Sequence, residues 1–211
     1  MRKENYKIDE FGEVFTSKRE VNDMVDMINN ETNRLESTFL EPACGDGNFL
    51  SEVLNRKLKL VKSYKSSLKI DFQANIFKAA SSLYGIDIQK ENVEKCRIRL
   101  FEKIIKFFEK EYTKNTKFEE VIKLVLEKNI LLGDALTLRN PVDNTPIVFS
   151  QWSFLSEYQV KRLDYSFKSI LNTSEIHSLP LFSDFGEQVF IPEPISQLDI
   201  VHFLKIKEYE K

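Results

Sequence analysis

The stretch Ser37 to Leu54, "STFLEPACGDGNFLSEVL", limits what this chain can fold into more than any other segment. An apolar run stops at Pro42, passes Gly45 and Gly47, and resumes with Phe49, Leu50, Val53 and Leu54 at helical spacing. Two glycines two positions apart, where a strand hands over to a helix, mean backbone with φ > 0 or close approach to a ligand. The chain has only six glycines, so the pair marks a built turn.

The flanking segments repeat this alternation. Ser17 and Glu20 form a capping box, followed by Val21, Met24, Val25 and Ile28, which predicts a helix over Lys18 to Asn29. Thr38 to Glu41 is predicted as a strand. A helix is predicted over Phe72 to Ser82, with Ile76, Phe77 and Ala80 inward, then a strand over Leu83 to Ile88. Val93, Cys96, Leu100, Ile104 and Phe107 lie on one stripe of a long helix from Glu91 to Glu111. Phe118, Val121, Ile122 and Val125 mark another helix, and Asn129 to Leu136 and Pro146 to Ser150 are short buried strands. Val160, Leu163, Phe167 and Ile170 predict a further helix, and "EQVFIP" and "LDIVHFLKI" a strand pair. Strands alternating with helices give an α/β fold with parallel strands in the first half.

Composition excludes several classes. No apolar run reaches the roughly 18 residues that a membrane helix needs, and "MRKENYKIDE" has no apolar core of a signal peptide. Two cysteines and two histidines make neither a disulfide framework nor a metal set, which fits a reduced, cytoplasmic protein without a metal. Cys96 falls on a buried stripe and reads as core. From Asn55 to Ile70 the chain carries six basic residues and no acid. A solvated surface segment is favoured there over a nucleic-acid footprint.

In an open α/β sheet, ligands bind at the carboxyl ends of the strands. Three predicted strands end in Glu41 with the glycine loop, in Asp87, and in Asp134. A glycine turn opening a helix offers free N–H donors. An acid ending the second strand suits a ribose diol, and a third acid suits an exocyclic amine. The loop lacks the third glycine of a dinucleotide fingerprint and the G-K-[ST] of a P-loop, and Asp46 would repel a pyrophosphate. The set describes a site for a nucleoside without phosphates.

"FLEPACGDGNFL", "LYGIDIQKENVEKCRIRLF" and "NILLGDAL" resemble successive motifs of the S-adenosylmethionine-dependent DNA adenine-N6 methyltransferases of restriction–modification systems. "GEVFTSKREVNDMV" resembles the leading motif of the branch whose cofactor motif precedes the catalytic one, with Ser17 where a Pro is usual. The resemblance covers roughly Gly12 to Phe154. It implies a Rossmann-like fold: a mostly parallel sheet with helices on both faces and an antiparallel strand pair at the C-terminal end. Residues 1–211 would form a single domain, with 1–35 a helical extension closing over the cofactor. Phe15 and Thr16 would close over the carboxylate end of S-adenosyl-L-methionine. Glu41, Pro42, Ala43, Cys44, Gly45, Asp46, Gly47, Asn48 and Phe49 would wrap its methionine part. Asp87 would hold the ribose, Ile88 would pack on the adenine, and Asp134 with Ala135 would meet the adenine amine.

The family's catalytic Asn/Asp-Pro-Pro-Tyr/Phe should follow the fourth strand. There this chain has Gln151, Trp152, Ser153 and Phe154. The motif's oxygens accept the hydrogens of a weakly nucleophilic amine while the aromatic stacks on the flipped base. Gln151 offers an amide oxygen one methylene farther out, Phe154 keeps the aromatic, and both rigid prolines are lost. A methyltransferase acting on adenine in DNA leads, with weak DNA binding alone, no separate recognition domain, and a companion subunit for target recognition. The rivals are a non-catalytic cofactor-binding or structural subunit, and a methyltransferase acting on RNA or protein.

Overall fold

The computed structural model describes residues 16–64, 68–177 and 192–210. Helix α1 (Lys18–Met27) opens with the predicted capping box: the Ser17 N–H donates to Glu20 Oε2 at 2.9 Å, and the Glu20 N–H to Ser17 Oγ at 3.4 Å. The predicted helix breaks at Ile28, and a short α2 (Asn29–Thr32) follows. Strand β1 (Phe39–Glu41) leads through the glycine turn into α3 (Asn48–Ser63), then α4 (Lys69–Ser81) and β2 (Leu83–Asp87). Helices α5 (Lys90–Phe108) and α6 (Thr116–Asn129) connect β2 to β3 (Ile130–Leu132).

These three strands form one parallel sheet in the order β1-β2-β3, with Phe39 opposite Leu83 and Gly85 opposite Ile130. Parallel neighbours need long crossovers, and a helix pair supplies each one. Leu83 and the apolar stripes of α3 to α6 share the main core. Ile86, on the opposite face of the sheet, packs with Ile147, Phe149 and Phe167 in a smaller cluster.

A second, antiparallel sheet follows: β4 (Val148–Phe154), β5 (Gln159–Ser166) and β6 (Ser196–His202), in that order. Helix α7 (Phe167–His177) follows β5, and a 3₁₀ helix (Phe203–Tyr209) ends the described chain. The architecture is therefore α/β with two three-stranded sheets, one parallel and one antiparallel. One face of the parallel sheet meets helices. The other meets Phe149 of β4 together with Phe167 and Leu171 of α7, so a strand of the second sheet shares that face with one helix.

Two expectations are corrected. The helix predicted through Val160 and Leu163 is β5, and only Phe167 and Ile170 are helical. The buried residues of β5 are Val160, Arg162 and Asp164, a period of two hidden because two of them are charged. The strand predicted at Pro146–Ser150 runs on to Phe154, so Gln151 to Phe154 lie inside β4, paired with Val160 to Leu163, instead of in a loop after a fourth parallel strand. The predicted strand "EQVFIP", apart from Pro192, and Phe15 lie outside the described residues. No helix among the described residues is long and apolar enough to cross a membrane, and no group of three or more His, Cys, Asp or Glu among them is arranged to hold a metal.

Candidate functional site

The turn between β1 and α3 takes the predicted shape. Gly45 has φ +52° and Gly47 has φ +86°, the left-handed region that glycine enters without a Cβ clash. At Gly47 packing adds a second constraint, because a Cβ there would meet Cys96 Sγ at 2.6 Å; at Gly45 nothing lies within 4 Å. Gly47 caps α3 and accepts from Ser51 at 2.8 Å, which leaves the first-turn N–H groups of α3 unpaired within the helix. The turn is tied to the sheet by the Cys44 N–H, which donates to Ile86 O at 2.8 Å.

Asp87 ends β2 and is only 8% exposed. Its Oδ2 accepts from the Gly45 N–H at 2.9 Å, and Oδ1 from the Gln89 N–H at 2.8 Å and from Asn92 Nδ2 at 3.3 Å. Three of roughly four acceptor positions on the carboxylate are thus in use. The residue expected to hold a ribose also holds the glycine turn against the second strand.

A cavity of about 520 Å³ opens at the carboxyl ends of the three parallel strands. Of the residues expected to wrap a ligand, Thr16, Glu41, Pro42, Ala43, Cys44, Gly45, Asp46, Asn48, Phe49, Asp87, Ile88, Asp134 and Ala135 all line it. Gly47 shapes the turn from behind. The sequence reading missed Val21 and Met24 of α1, Gln89 and Asn92 beside Asp87, and Gly133 and Leu136 beside Asp134. Asn92 could have been found, since it lies in the first turn of α5, just after the strand that Asp87 ends.

The wall chemistry is one-sided. Among the described residues, four carboxylates line the cavity and no lysine, arginine or histidine does. Glu41 makes no ion pair among the described residues, and burial raises its pKa above the ordinary carboxylate range. Asp46 is held by Arg99 at 2.6 Å, and Arg99 also donates to Asn48. Asp134 Oδ1 accepts from the Leu136 N–H at 2.8 Å, which lowers its pKa and keeps it ionised. Leu136 itself is 95% exposed at the cavity rim.

Cys44 and Cys96 are both buried and free. A hydrogen bond with the Cys96 thiol, together with burial, pushes the Cys44 thiol far above its usual range. It is therefore an uncharged wall residue with no thiolate chemistry.

Gln151, Trp152, Ser153 and Phe154 are not brought to this cavity. Trp152 Nε1 donates to Asn129 Oδ1 at 3.0 Å, and Asn129 Nδ2 donates to Ser81 O and Leu83 O at 3.0 and 3.1 Å. Leu83 begins β2 and Asp87 ends it, so the tetrapeptide packs at the opposite end of the parallel strands. The Trp152 and Phe154 rings both meet Phe77 of α4 edge-on, at 5.7 and 5.3 Å between centroids. Set against protein-family models, curated proteins and solved structures, the chain matches none of them.

Proposed function

We propose that the chain binds S-adenosyl-L-methionine at the carboxyl ends of β1, β2 and β3, as the cofactor-holding part of a methyltransferase of the DNA adenine-N6 type on a Rossmann-like scaffold. One observation carries this reading: among the described residues, four carboxylates, of which Asp46 is paired with Arg99, and no cationic side chain line a cavity into which a glycine turn and a helix N-terminus open. Such a wall repels phosphates, so ATP, NAD and similar ligands fit poorly. A ligand with a sulfonium and an ammonium group fits its sign. Bound there, S-adenosyl-L-methionine would supply an electrophilic methyl group.

The residues divide the work. Glu41, unpaired among the described residues and half-buried, accepts from the ammonium, where reduced solvation strengthens the contact. The first-turn N–H groups of α3, at Asn48 and Phe49, receive the ligand's carboxylate. Asp87 presents its remaining acceptor position to the ribose while keeping Gly45 in place. Ile88 and Leu136 offer apolar surface to a base, and the ionised Asp134 carboxylate faces its amine. With Gln151 to Phe154 at the far strand ends, the acceptor base falls to a companion subunit or segment.

Calorimetric titration tests the reading. S-adenosyl-L-methionine should bind one to one in the micromolar range, and ATP should give no heat. Tighter binding of ATP would overturn it. The pairing of the tetrapeptide inside β4 favours a second reading, a subunit that holds the cofactor without transferring methyl groups. Label from methyl-tritiated cofactor reaching adenine in DNA in a cell lysate supports the first reading. Binding with no label in DNA, RNA or protein supports the second.

A further inference from the structure

Two helices leave the candidate site side by side. Asn48 faces Arg99, Ser51 faces Lys103 and Lys62 faces Glu111, so α3 and α5 run parallel, away from the cavity mouth. Between them lies a second cavity of about 720 Å³. Lys59 and Lys62 stand on its α3 wall. Lys95, Arg99, Lys103 and Lys106 stand on its α5 wall, and Lys110 extends the row beyond the helix end. Among the described residues only two carboxylates, Glu102 and Glu111, line it, and Glu111 is paired with Lys62 at 3.1 Å. Lys59, Lys95, Lys106 and Lys110 are exposed and make no ion pair among the described residues.

The chain's net charge is only −2, so this row is a segregated patch and no reflection of overall composition. Like charges three or four apart destabilise a helix, and the groove retains them with only Glu102, Glu111 and the Asp46 partner of Arg99 to offset them. On α5 the row from Lys95 to Lys106 spans roughly 16 Å at 1.5 Å per residue. That length matches about five phosphates along one strand of a duplex.

We propose that the α3–α5 groove seats the phosphate backbone of one strand of duplex DNA, without reading sequence, and leads the duplex to the mouth of the candidate cofactor site. The choice of DNA as the polyanion rests on the methyltransferase reading; the charge of the groove does not. Leu58, Phe107 and the exposed Ile98 form its apolar floor. A single strand gains affinity by stacking bases on aromatic rings. The one ring on this floor, Phe107, is already stacked on Phe72 at 5.4 Å and 16°. A duplex presents its phosphates already ordered, opposite cations fixed on rigid helices. Arg99 lies in the groove and also holds Asp46 of the glycine turn, so the groove and the cavity share one ion pair.

Fluorescence anisotropy of a labelled mixed-sequence duplex of about 20 base pairs, with the full chain and no cofactor, tests this. Affinity at physiological salt should lie in the range of about 10⁻⁴–10⁻⁶ M, with a steep salt dependence. The triple variant Lys59→Glu, Lys95→Glu, Lys106→Glu should weaken binding more than about tenfold and flatten the log–log salt slope by about 3. Lys117→Glu, Lys168→Glu, Lys205→Glu makes the same charge change at exposed positions outside the groove and should keep affinity within about threefold. Equal losses in the two triples, or no binding by the wild type at low salt, would overturn the proposal. So would tighter binding of single-stranded DNA, of duplex RNA, or of an acidic polypeptide. Failure of the cofactor reading shows separately, as absence of calorimetric heat with anisotropy unchanged.

Discussion

In the parallel sheet the polar groups gather at the strand ends, where Glu41 faces a cavity with acceptor capacity left over. In the antiparallel sheet they are turned inward and set against one another, with the buried Arg162 Nε left without a hydrogen bond. Asp164 accepts from Ser150 Oγ at 2.6 Å and lies 3.1 Å from Arg162 Nε, while Arg162 also pairs with Glu210. Trp152 spends its only donor on Asn129. Buried polar groups that satisfy one another fix a structure, and those left partly open are available to a ligand. The comparison supports the proposal that the second sheet is scaffold and the first holds the ligand, including at the tetrapeptide, where motif matching alone points the other way.

The largest effect should come from opening the antiparallel sheet. Asp164→Ala leaves Arg162 buried with Glu210 as its remaining acid, and should cost about 3 kcal/mol in urea unfolding. Cofactor affinity should not change; a parallel loss of affinity would show that the two sheets are not divided as described. Somewhat smaller, Gly47→Ala combines φ +86° with a 2.6 Å approach to Cys96 and should cost about 2–3 kcal/mol. Gly45→Ala meets nothing within 4 Å and should cost only about 1 kcal/mol, from backbone strain alone. Equal costs would remove the packing role assigned to Gly47.

The smallest effect is one of pH. Lys57 is wholly buried, and its Nζ donates to the carbonyls of Arg34, Leu35 and Ser37 at 2.9, 2.8 and 2.7 Å, fastening the segment that leads into β1. Burial lowers its pKa from 10.5 to about 8. Between those values the unfolded chain binds the proton that the folded chain has released, so this group makes stability rise with pH across that window. Denaturation of wild type and Lys57→Met at pH 8 and pH 10 should show the rise only in the wild type. A rise of equal size in both would assign it to other groups.

Local signals were legible in the sequence. The Ser17–Glu20 box, the two left-handed glycines and the acids ending β1 and β2 all stand where pattern placed them. Long-range matching was not. Arg162 and Asp164 disguise a buried strand face, because each looks solvated until its partner is known. Lys57 was read as part of a solvated basic run, yet it lies on the stripe of Leu50, Leu54 and Val61, and that periodicity could have flagged it. The basic groove was hidden for another reason. Lys59 and Lys95 are far apart in the chain, and only the parallel course of α3 and α5 brings their walls together. The placement of β4 shows in its pairing with β5 and in the contact of Trp152 with Asn129, both between segments that no local pattern connects.

Parallel calorimetric titrations of S-adenosyl-L-methionine into wild type, Glu41→Gln, Asp87→Ala and Gln151→Ala test the central claim most directly. Glu41→Gln removes one charge with little change of shape and should weaken binding about tenfold, as expected for a charge-assisted contact of about 1.5 kcal/mol. Asp87→Ala loses both the ribose acceptor and the anchor of Gly45 and should weaken it further. Gln151→Ala, inside β4 at the other end of the parallel strands, should bind as the wild type does. Wild-type affinity in the Glu41 and Asp87 variants, or a loss confined to Gln151→Ala, would contradict the account.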